Sequence, residues 1–138
     1  MLAHLKAIRD RLVALNPAYR GFIVSADSNT APPYFIVSAP GWDAGEDVSI
    51  DSDSRGLDTD VRVMAVAGTT DGVFIMLDAA RAALSPLLAP KPLAVTGRKA
   101  ETQWTRSEFV DIDDSITLTT GKHPAFGVDT YHLSSEPA

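Results

Sequence analysis

Histidines are the side chains best suited to acid–base chemistry near neutral pH, and this chain has three. His4, His123 and His132 lie far apart in sequence, and no His-x-x-x-His or His-Glu-x-x-His spacing occurs. The Gly-x-Ser-x-Gly elbow of serine hydrolases is also absent. We place His4 on the polar side of an N-terminal helix and His132 on a strand. These patterns predict no nucleophilic catalysis, and we expect the protein not to be an enzyme.

Gly121-Lys122 imitates the end of a phosphate-binding loop, in which backbone amides cradle phosphates and a hydroxyl meets magnesium. The motif fails at two positions, because His123 follows the lysine and Ile116 stands where the first glycine belongs. The same residues therefore predict a polar turn between strands, and the sequence predicts no bound cofactor.

Residues 39–56 form the most acidic stretch, with a single basic residue, Arg55. The segment resembles the start of a calcium loop at Asp51, but Arg55 and Arg62 occupy positions where oxygen ligands are required. Two interpretations remain: a solvated acidic loop that resists self-association, or an incidental divalent-ion site. The carboxylates available to such an ion are Asp43, Asp47, Asp51 and Asp53.

The two tryptophans have different surroundings in the sequence. Trp104 lies in an alternating strand pattern, which predicts a place in the core. Trp42 lies between Gly41 and Asp43 in the acidic stretch, where few apolar neighbours are available to bury it. Because tryptophan is enriched at interface hot spots, Trp42 fits either an interface or local packing of the loop.

Composition limits the class of protein. The chain has 138 residues, 45% of them hydrophobic, which fits one domain with one core. Its net charge of -6 argues against a binder that grips nucleic acid through phosphates. The absence of cysteine excludes disulfides and thiolate zinc sites. No apolar run is long enough for a signal peptide or a membrane span, so we expect a soluble protein made in the cytoplasm.

Hydrophobic periodicity predicts two helices. Leu2, Leu5, Ile8, Leu12 and Leu15 recur at spacings of three and four, which indicates an amphipathic helix ending near Asn16-Pro17. A second helix follows Gly68, with Thr69, Thr70 or Asp71 as its cap. Its expected buried stripe consists of Val73, Met76, Leu77, Ala80, Leu84 and Leu88.

The remaining elements read as strands. Residues 21–24 and 34–37 predict a hairpin, 57–66 a long strand, and 101–113 and 126–133 two more. Ile116 and Leu118 suit a further short strand. The order predicts an α+β domain spanning 1–138, with two helices on one mostly antiparallel sheet. We expect 39–56 to be an extended acidic loop or hairpin and 134–138 to be a frayed tail.

The layout resembles a known family over nearly the whole chain. The segments that carry the likeness are Asp60-Val61-Arg62-Val63-Met64-Ala65-Val66-Ala67, the Gly68-Thr69-Thr70-Asp71 turn, Leu77-Asp78-Ala79-Ala80-Arg81-Ala82-Ala83-Leu84 and Gly127-Val128-Asp129-Thr130-Tyr131-His132-Leu133. In this order they resemble the tail terminator, or tail completion, proteins of long-tailed bacteriophages. The likeness lies in overall layout and not in a sharp motif.

The resemblance implies a structural virion protein without a cofactor. It implies a homohexameric ring at the tail–head junction, assembled in the host cytoplasm, which caps the tail tube protein, ends tube growth and gives head–tail connector proteins a joining surface. Genomic DNA would pass through the lumen without specific binding, and no membrane is involved. Another connector or head-completion protein, or a small ligand-binding or enzymatic domain, remains an alternative.

A head-to-tail ring needs two complementary surfaces on each subunit. We expect opposite charges to supply them and to set register more than affinity. The candidate interface residues are Lys6, Arg9, Arg11 and Arg20 on the basic side, and Trp42, Asp43, Glu46, Asp47, Asp51 and Asp53 in the acidic loop.

Overall fold

The computed structural model describes residues 1–26, 30–39, 56–118 and 121–138. These residues form one domain with two α-helices, a short 3-10 helix and a six-stranded sheet of order β1-β2-β3-β6-β5-β4. The helices are α1 (Leu2–Val13), α2 (Thr70–Leu84) and the 3-10 helix Pro86–Leu88. The strands are β1 (Arg20–Ile23), β2 (Tyr34–Ser38), β3 (Leu57–Ala67), β4 (Lys91–Leu93), β5 (Arg98–Ile112) and β6 (Ala125–Pro137). The expected α+β class with a mostly antiparallel sheet is confirmed, since only β1 and β2 run parallel.

Alternation along β3 creates the helix-covered face of the sheet. Val61, Val63 and Ala65 are fully buried there, while the residues between them point to the opposite face. Both helices pack on this one face and form a single core with it. The helix side chains in that core are Leu5, Ile8 and Leu12 of α1, and Val73, Met76, Leu77, Ala80 and Leu84 of α2.

The start of α2 is fixed by a side-chain cap and by a glycine on the sheet beneath it. Thr69 Oγ1 accepts a hydrogen bond from the Gly72 N–H at 3.1 Å, an interaction that typically contributes about 1 kcal/mol. A Cβ on Gly127 of β6 would lie 2.8 Å from Val73 Cγ1 and 2.9 Å from Val110 Cγ2. Glycine at this position therefore lets α2 pack directly on β5 and β6.

The predicted stripe of α2 is correct up to Leu84 and wrong for Leu88. The helix ends at Ser85, so helical spacing no longer determines which side chains face the core. Leu87 and Leu88 both adopt left-handed backbone conformations, with φ of 56° and 61°. This turn sends the side chain of Leu88 outward, where it is half exposed.

The prediction of a hairpin between residues 21–24 and 34–37 is wrong. The strands β1 and β2 are neighbours, but they run parallel, with Arg20 beside Tyr34 and Ile23 beside Val37. A two-residue turn would have fixed an antiparallel pairing. The connection 24–33 is much longer, so it lets the chain return to the starting end of β1 before β2 begins.

Two predictions about the C-terminal third are also wrong. Ile116 and Leu118 belong to no strand, because residues 113–118 fold back on themselves: the Ile116 N–H is bonded to Asp113 O and the Leu118 N–H to Lys122 O. The expected frayed tail 134–138 instead continues β6 through Pro137, between β3 and β5. The end of the strand is polar but ordered, since the buried Ser135 side chain is hydrogen-bonded to His4 and to Arg98.

Candidate functional site

The face of the sheet opposite the helices, called here the open face, is apolar at one end. The sheet register places Phe22, Ile36, Met64, Val128 and Phe109 in one row across five strands. At each end of the row, its phenylalanine makes an edge-to-face contact with an aromatic ring outside the row: Phe22 with Tyr34, and Phe109 with Phe126. No described helix packs on this face, and the row forms an apolar surface whose side chains range from buried at Val128 to half exposed at Phe109.

A small cavity indents the apolar end of the open face. It has a volume of about 140 Å³, and its lining includes Tyr34, Met64, Phe126 and Ile116. Ile116 is half exposed at its rim, and Phe109 of β5, whose ring contacts the lining residue Phe126, is half exposed on the same face. We call Phe109 and Ile116 the sheet patch.

The other end of the open face is charged. Glu108 Oε1 lies 3.3 Å from Arg62 Nε and 3.5 Å from Arg106 Nη2, and it accepts a hydrogen bond from the Thr130 hydroxyl at 3.1 Å. Further along, the imidazole of His132 lies between the carboxylates of Asp58 and Asp60. The open face therefore changes from aromatic to ionic along its strands.

His132 lies between two carboxylates that favour its protonated form. Partial burial lowers its pKa, but the hydrogen bond to Asp60 and the charge of Asp58 outweigh this, and the pKa of His132 is raised above its usual value. Nε2 faces Asp58 and Nδ1 faces Asp60, and only an imidazolium can donate to both.

We predict that nuclear magnetic resonance titration of His132 gives a pKa above 6.5 and that Asp60→Asn lowers it. The contacts of protonated His132 with Asp58 and Asp60 stabilise the fold in full below the pKa of His132 in the unfolded chain. This stabilisation is lost as the pH rises through the pKa of His132 in the folded protein. An unchanged titration in Asp60→Asn would contradict the assigned contact.

Two other exposed apolar pairs lie away from the open face. Phe74 and Ile75 project from the first half of α2, on its outer side, and are more than half exposed. Leu87 and Leu88 lie in the turn after α2, and Leu87 is 100% exposed. We call Phe74 with Ile75 the helix patch and Leu87 with Leu88 the turn patch.

A larger cavity of about 780 Å³ opens at the Leu57 end of the sheet, between β3, β6, β5 and β4. Ser135 and Arg98 line it, and His4 Nε2 contacts Ser135 Oγ at 2.8 Å, so the expected place of His4 on the polar side of α1 is wrong. A buried Ser–His contact next to a cavity is the arrangement here that comes nearest to catalytic geometry.

The chemistry of this contact does not favour catalysis. Burial, the N-terminal ammonium and Arg98 lower the pKa of His4 to about 4, which makes the imidazole a weak base at neutral pH. The Arg98 Nε–H donates to Ser135 Oγ at 2.8 Å, which draws electron density away from that oxygen. Nδ1 of His4 has no hydrogen-bond partner in the described part of the chain, so nothing orients the ring as a triad acid would.

A buried polar cluster joins α2 to β5 and β6. Asp129 is 0% exposed, and its Oδ2 accepts from Arg81 Nη2 at 2.9 Å and from Trp104 Nε1 at 3.2 Å. The Arg81 guanidinium also lies 4.9 Å from the centre of the Trp104 ring, a cation–π distance. Asp129 follows Gly127 and precedes Tyr131 on the helix-facing side of β6, and this alternation is the sequence signal that could have located it.

Two of the four basic residues predicted for an interface have partners within their own subunit. Arg9 pairs with its neighbour Asp10, and Arg11 Nη1 donates to the Pro92 carbonyl at 2.9 Å, tying α1 to β4. Lys6 is exposed on α1, and Arg20 is exposed on β1 at the sheet edge. The candidates in the acidic loop, like nearly all of residues 39–56, lie outside the described residues: Trp42, Asp43, Glu46, Asp47, Asp51 and Asp53.

Within 1–26, 30–39, 56–118 and 121–138, no group of three or more acidic or histidine side chains is placed to hold a metal ion. The proposed divalent-ion site of the acidic loop lies outside these ranges. None of the described helices is long and apolar enough to cross a membrane.

No protein-family model and no curated protein matches this chain. Among solved structures, it is similar to a chain from the virion of a native gene transfer agent particle. The two share 15% sequence identity with a TM-score of 0.48, and the match covers 95% of this chain and 93% of that chain. A likeness at this level carries no conclusion about function.

Proposed function

We propose that this protein is a structural virion component that closes the end of a phage tail tube as a ring of its own copies. The ring ends tube growth and presents the joining surface for head–tail connector proteins. The observation that carries the proposal is the presence of three separate exposed apolar surfaces on one small domain: the sheet patch, the helix patch and the turn patch. Contiguous exposed apolar surface on a soluble domain marks sites of protein association.

The turn patch gives the sharpest sign of association. Leu87 is wholly exposed, and both residues of the patch hold a left-handed backbone conformation that residues other than glycine rarely adopt. Each such residue typically costs about 1 kcal/mol or more, and strain of this kind clusters at functional sites. A partner that covers the two leucines would recover the free energy lost by exposing them.

Separate surfaces suit a ring at a junction. A cyclic head-to-tail assembly uses two different faces of every subunit, and a terminal ring also has neighbours above and below. The sheet patch lies on the open face, the helix patch on the opposite side of the domain, and the turn patch beyond the far end of α2. Each neighbour can therefore dock without displacing another.

The charge balance fits the passage of DNA through such a ring. The chain carries -6 overall, so a lumen lined by this protein would repel phosphates and not retain them. The proposed location is the tail–head junction of the virion, after assembly in the host cytoplasm, with the tail tube protein and connector proteins as partners.

Co-sedimentation with polymerised tail tube protein tests the proposal. We expect the full chain to pellet with tubes at a small, fixed ratio, as an end-binding protein must. The double variants Phe74→Ser/Ile75→Ser and Leu87→Ser/Leu88→Ser remove the helix patch and the turn patch, and at least one should abolish pelleting. Leu2→Ser, which changes an exposed leucine outside the patches, should bind normally.

The same assay separates the alternatives. Binding to the portal or connector complex without any binding to tubes would favour a head-completion protein and overturn the terminator assignment. A large thermal shift with a small molecule, abolished by a substitution in the 780 Å³ cavity, would favour a ligand-binding domain.

A further inference from the structure

The sheet has two open strand edges on opposite sides. Strand β1 is the last strand at one side, because β2 is its sole partner among the described strands. On the other side, β4 pairs only with residues Ala100–Thr102 of β5. Beyond Thr102, the described strands leave the outer edge of β5 uncovered as far as Ile112. Open edges present unpaired N–H and C=O groups that can accept another strand.

Irregular pairing narrows the usable part of the β5 edge. The register between β5 and β6 shifts between Trp104 and Arg106 and again between Ser107 and Phe109. Such bulges bend a strand and disrupt regular pairing. The segment Phe109–Ile112 lies beyond both shifts and pairs regularly with β6. Its length matches the four residues of β1.

The edge of β1 and the Phe109–Ile112 edge of β5 lie at the same level along the strand direction. One row of neighbours runs from Arg20 on β1 through Tyr34, Val66 and Phe126 to Asp111 on β5. The adjacent row on the same open face runs from Phe22 on β1 to Phe109 on β5. Strand directions reverse three times between β2 and β5, so β1 and β5 run in opposite directions.

We propose that β1 of one copy adds to the Phe109–Ile112 edge of β5 in the next copy as an antiparallel strand. Continuing the rows across the junction places Arg20 opposite Asp111 and Phe22 opposite Phe109. Opposite charges and aromatic pairs directly across strands are favourable, and both pairs arise from a single register. The proposal rests on the self-association in the proposed function and names the surfaces that perform it.

The two edges are different surfaces, so the contact is heterologous. Copies joined in this way continue head to tail until the chain of subunits closes or its ends remain open. The short length of the matched segments keeps each contact weak, which suits a ring that forms when its copies are concentrated on a tube end.

Disulfide trapping tests the contact directly, because the natural chain has no cysteine. In the double variant Arg20→Cys/Asp111→Cys, the new side chains would be opposed across the junction, close to disulfide range. Mild oxidation of the full chain, alone at high concentration and on tubes, should give a ladder of covalent oligomers. The matched control is Arg20→Cys/Glu101→Cys, because Glu101 lies on the same strand where β4 covers it. Equal ladders in both variants, or none in either, would overturn the contact.

Charge reversal provides a second measurement that does not depend on disulfide geometry. Arg20→Asp or Asp111→Arg alone should weaken self-association at least about fivefold, because like charges directly across strands repel. The double variant Arg20→Asp/Asp111→Arg should restore it. If the single variants assemble and cap tubes normally, the strand contact is wrong and the proposed function stands. If association follows the charges but no variant binds tubes, the contact stands and the proposed function fails.

Discussion

Replacing Asp129 by alanine is expected to lower the free energy of unfolding by about 3 kcal/mol. The carboxylate is fully buried, and one of its oxygens accepts from both Arg81 and Trp104. Removing one partner of a buried charge pair leaves the other without compensation, which typically costs about 3–5 kcal/mol. The lower figure applies because the Arg81 side chain is 28% exposed and can turn toward water.

The chain offers a matched control on the same arginine. Asp78 Oδ1 lies 3.6 Å from Arg81 Nη1, but its side chain is 74% exposed. Asp78→Ala should therefore change stability by no more than about 0.5 kcal/mol. Urea unfolding followed by circular dichroism, at one protein concentration, measures both variants. Equal losses in the two variants would show that burial of Asp129 does not determine the strength of the pair.

The second large effect is a loss of stability in acid that depends on His4. The unfolded imidazole binds a proton near pH 6.5, whereas burial lowers the pKa of His4 in the folded protein to about 4. Between these values the unfolded state binds more protons, so stability is complete above pH 6.5 and falls as the pH decreases toward 4. The difference of roughly 2.5 pKa units corresponds to about 3 kcal/mol.

The measurement compares the natural chain with His4→Leu across this pH range. Carboxylates titrate in both proteins, so the difference between the two unfolding free energies isolates the histidine. The natural chain should lose about 3 kcal/mol more than His4→Leu between pH 7 and pH 4. If the unfolding free energies of the two proteins change in parallel with pH, protonation of His4 in the folded state does not destabilise the protein.

Local sequence patterns were sufficient to predict the elements that are determined by interactions between residues close in sequence. The stripe of α2 as far as Leu84, a cap at Thr69 (one of the three candidates) and the alternation of β3 follow from spacing and side-chain chemistry, and these are confirmed. His4 was assigned to the polar side of α1 because of its residue type. Its spacing from Leu5, Ile8 and Leu12 already placed it beside the buried stripe.

The remaining features depend on contacts between distant parts of the chain. The parallel pairing of β1 with β2 depends on the path of a long connection, and a hairpin prediction needs a short turn. The C-terminal end of β6 looked like a tail because it is polar, but Ser135 is bonded to residues more than thirty positions away in sequence. The exposed turn patch arises from backbone conformations that no spacing rule anticipates.

The sequence predicted the candidate interface from charge, and that interface stays a prediction; the described surface adds apolar patches and open strand edges. Arg9 and Arg11 have partners within their own subunit, whereas Lys6 on α1 and Arg20 at the β1 edge are exposed toward a neighbour. The role of the acidic loop stays a prediction, because residues 40–55 lie outside the described part of the chain.

Electron microscopy of tail tubes polymerised with and without the full-length protein tests the central proposal most directly. With the protein present, we expect tubes that stop growing and carry at one end a closed ring of six copies. Tubes that grow to the same length without any end density, together with a protein that remains monomeric by native mass in their presence, would contradict a role in closing the tail.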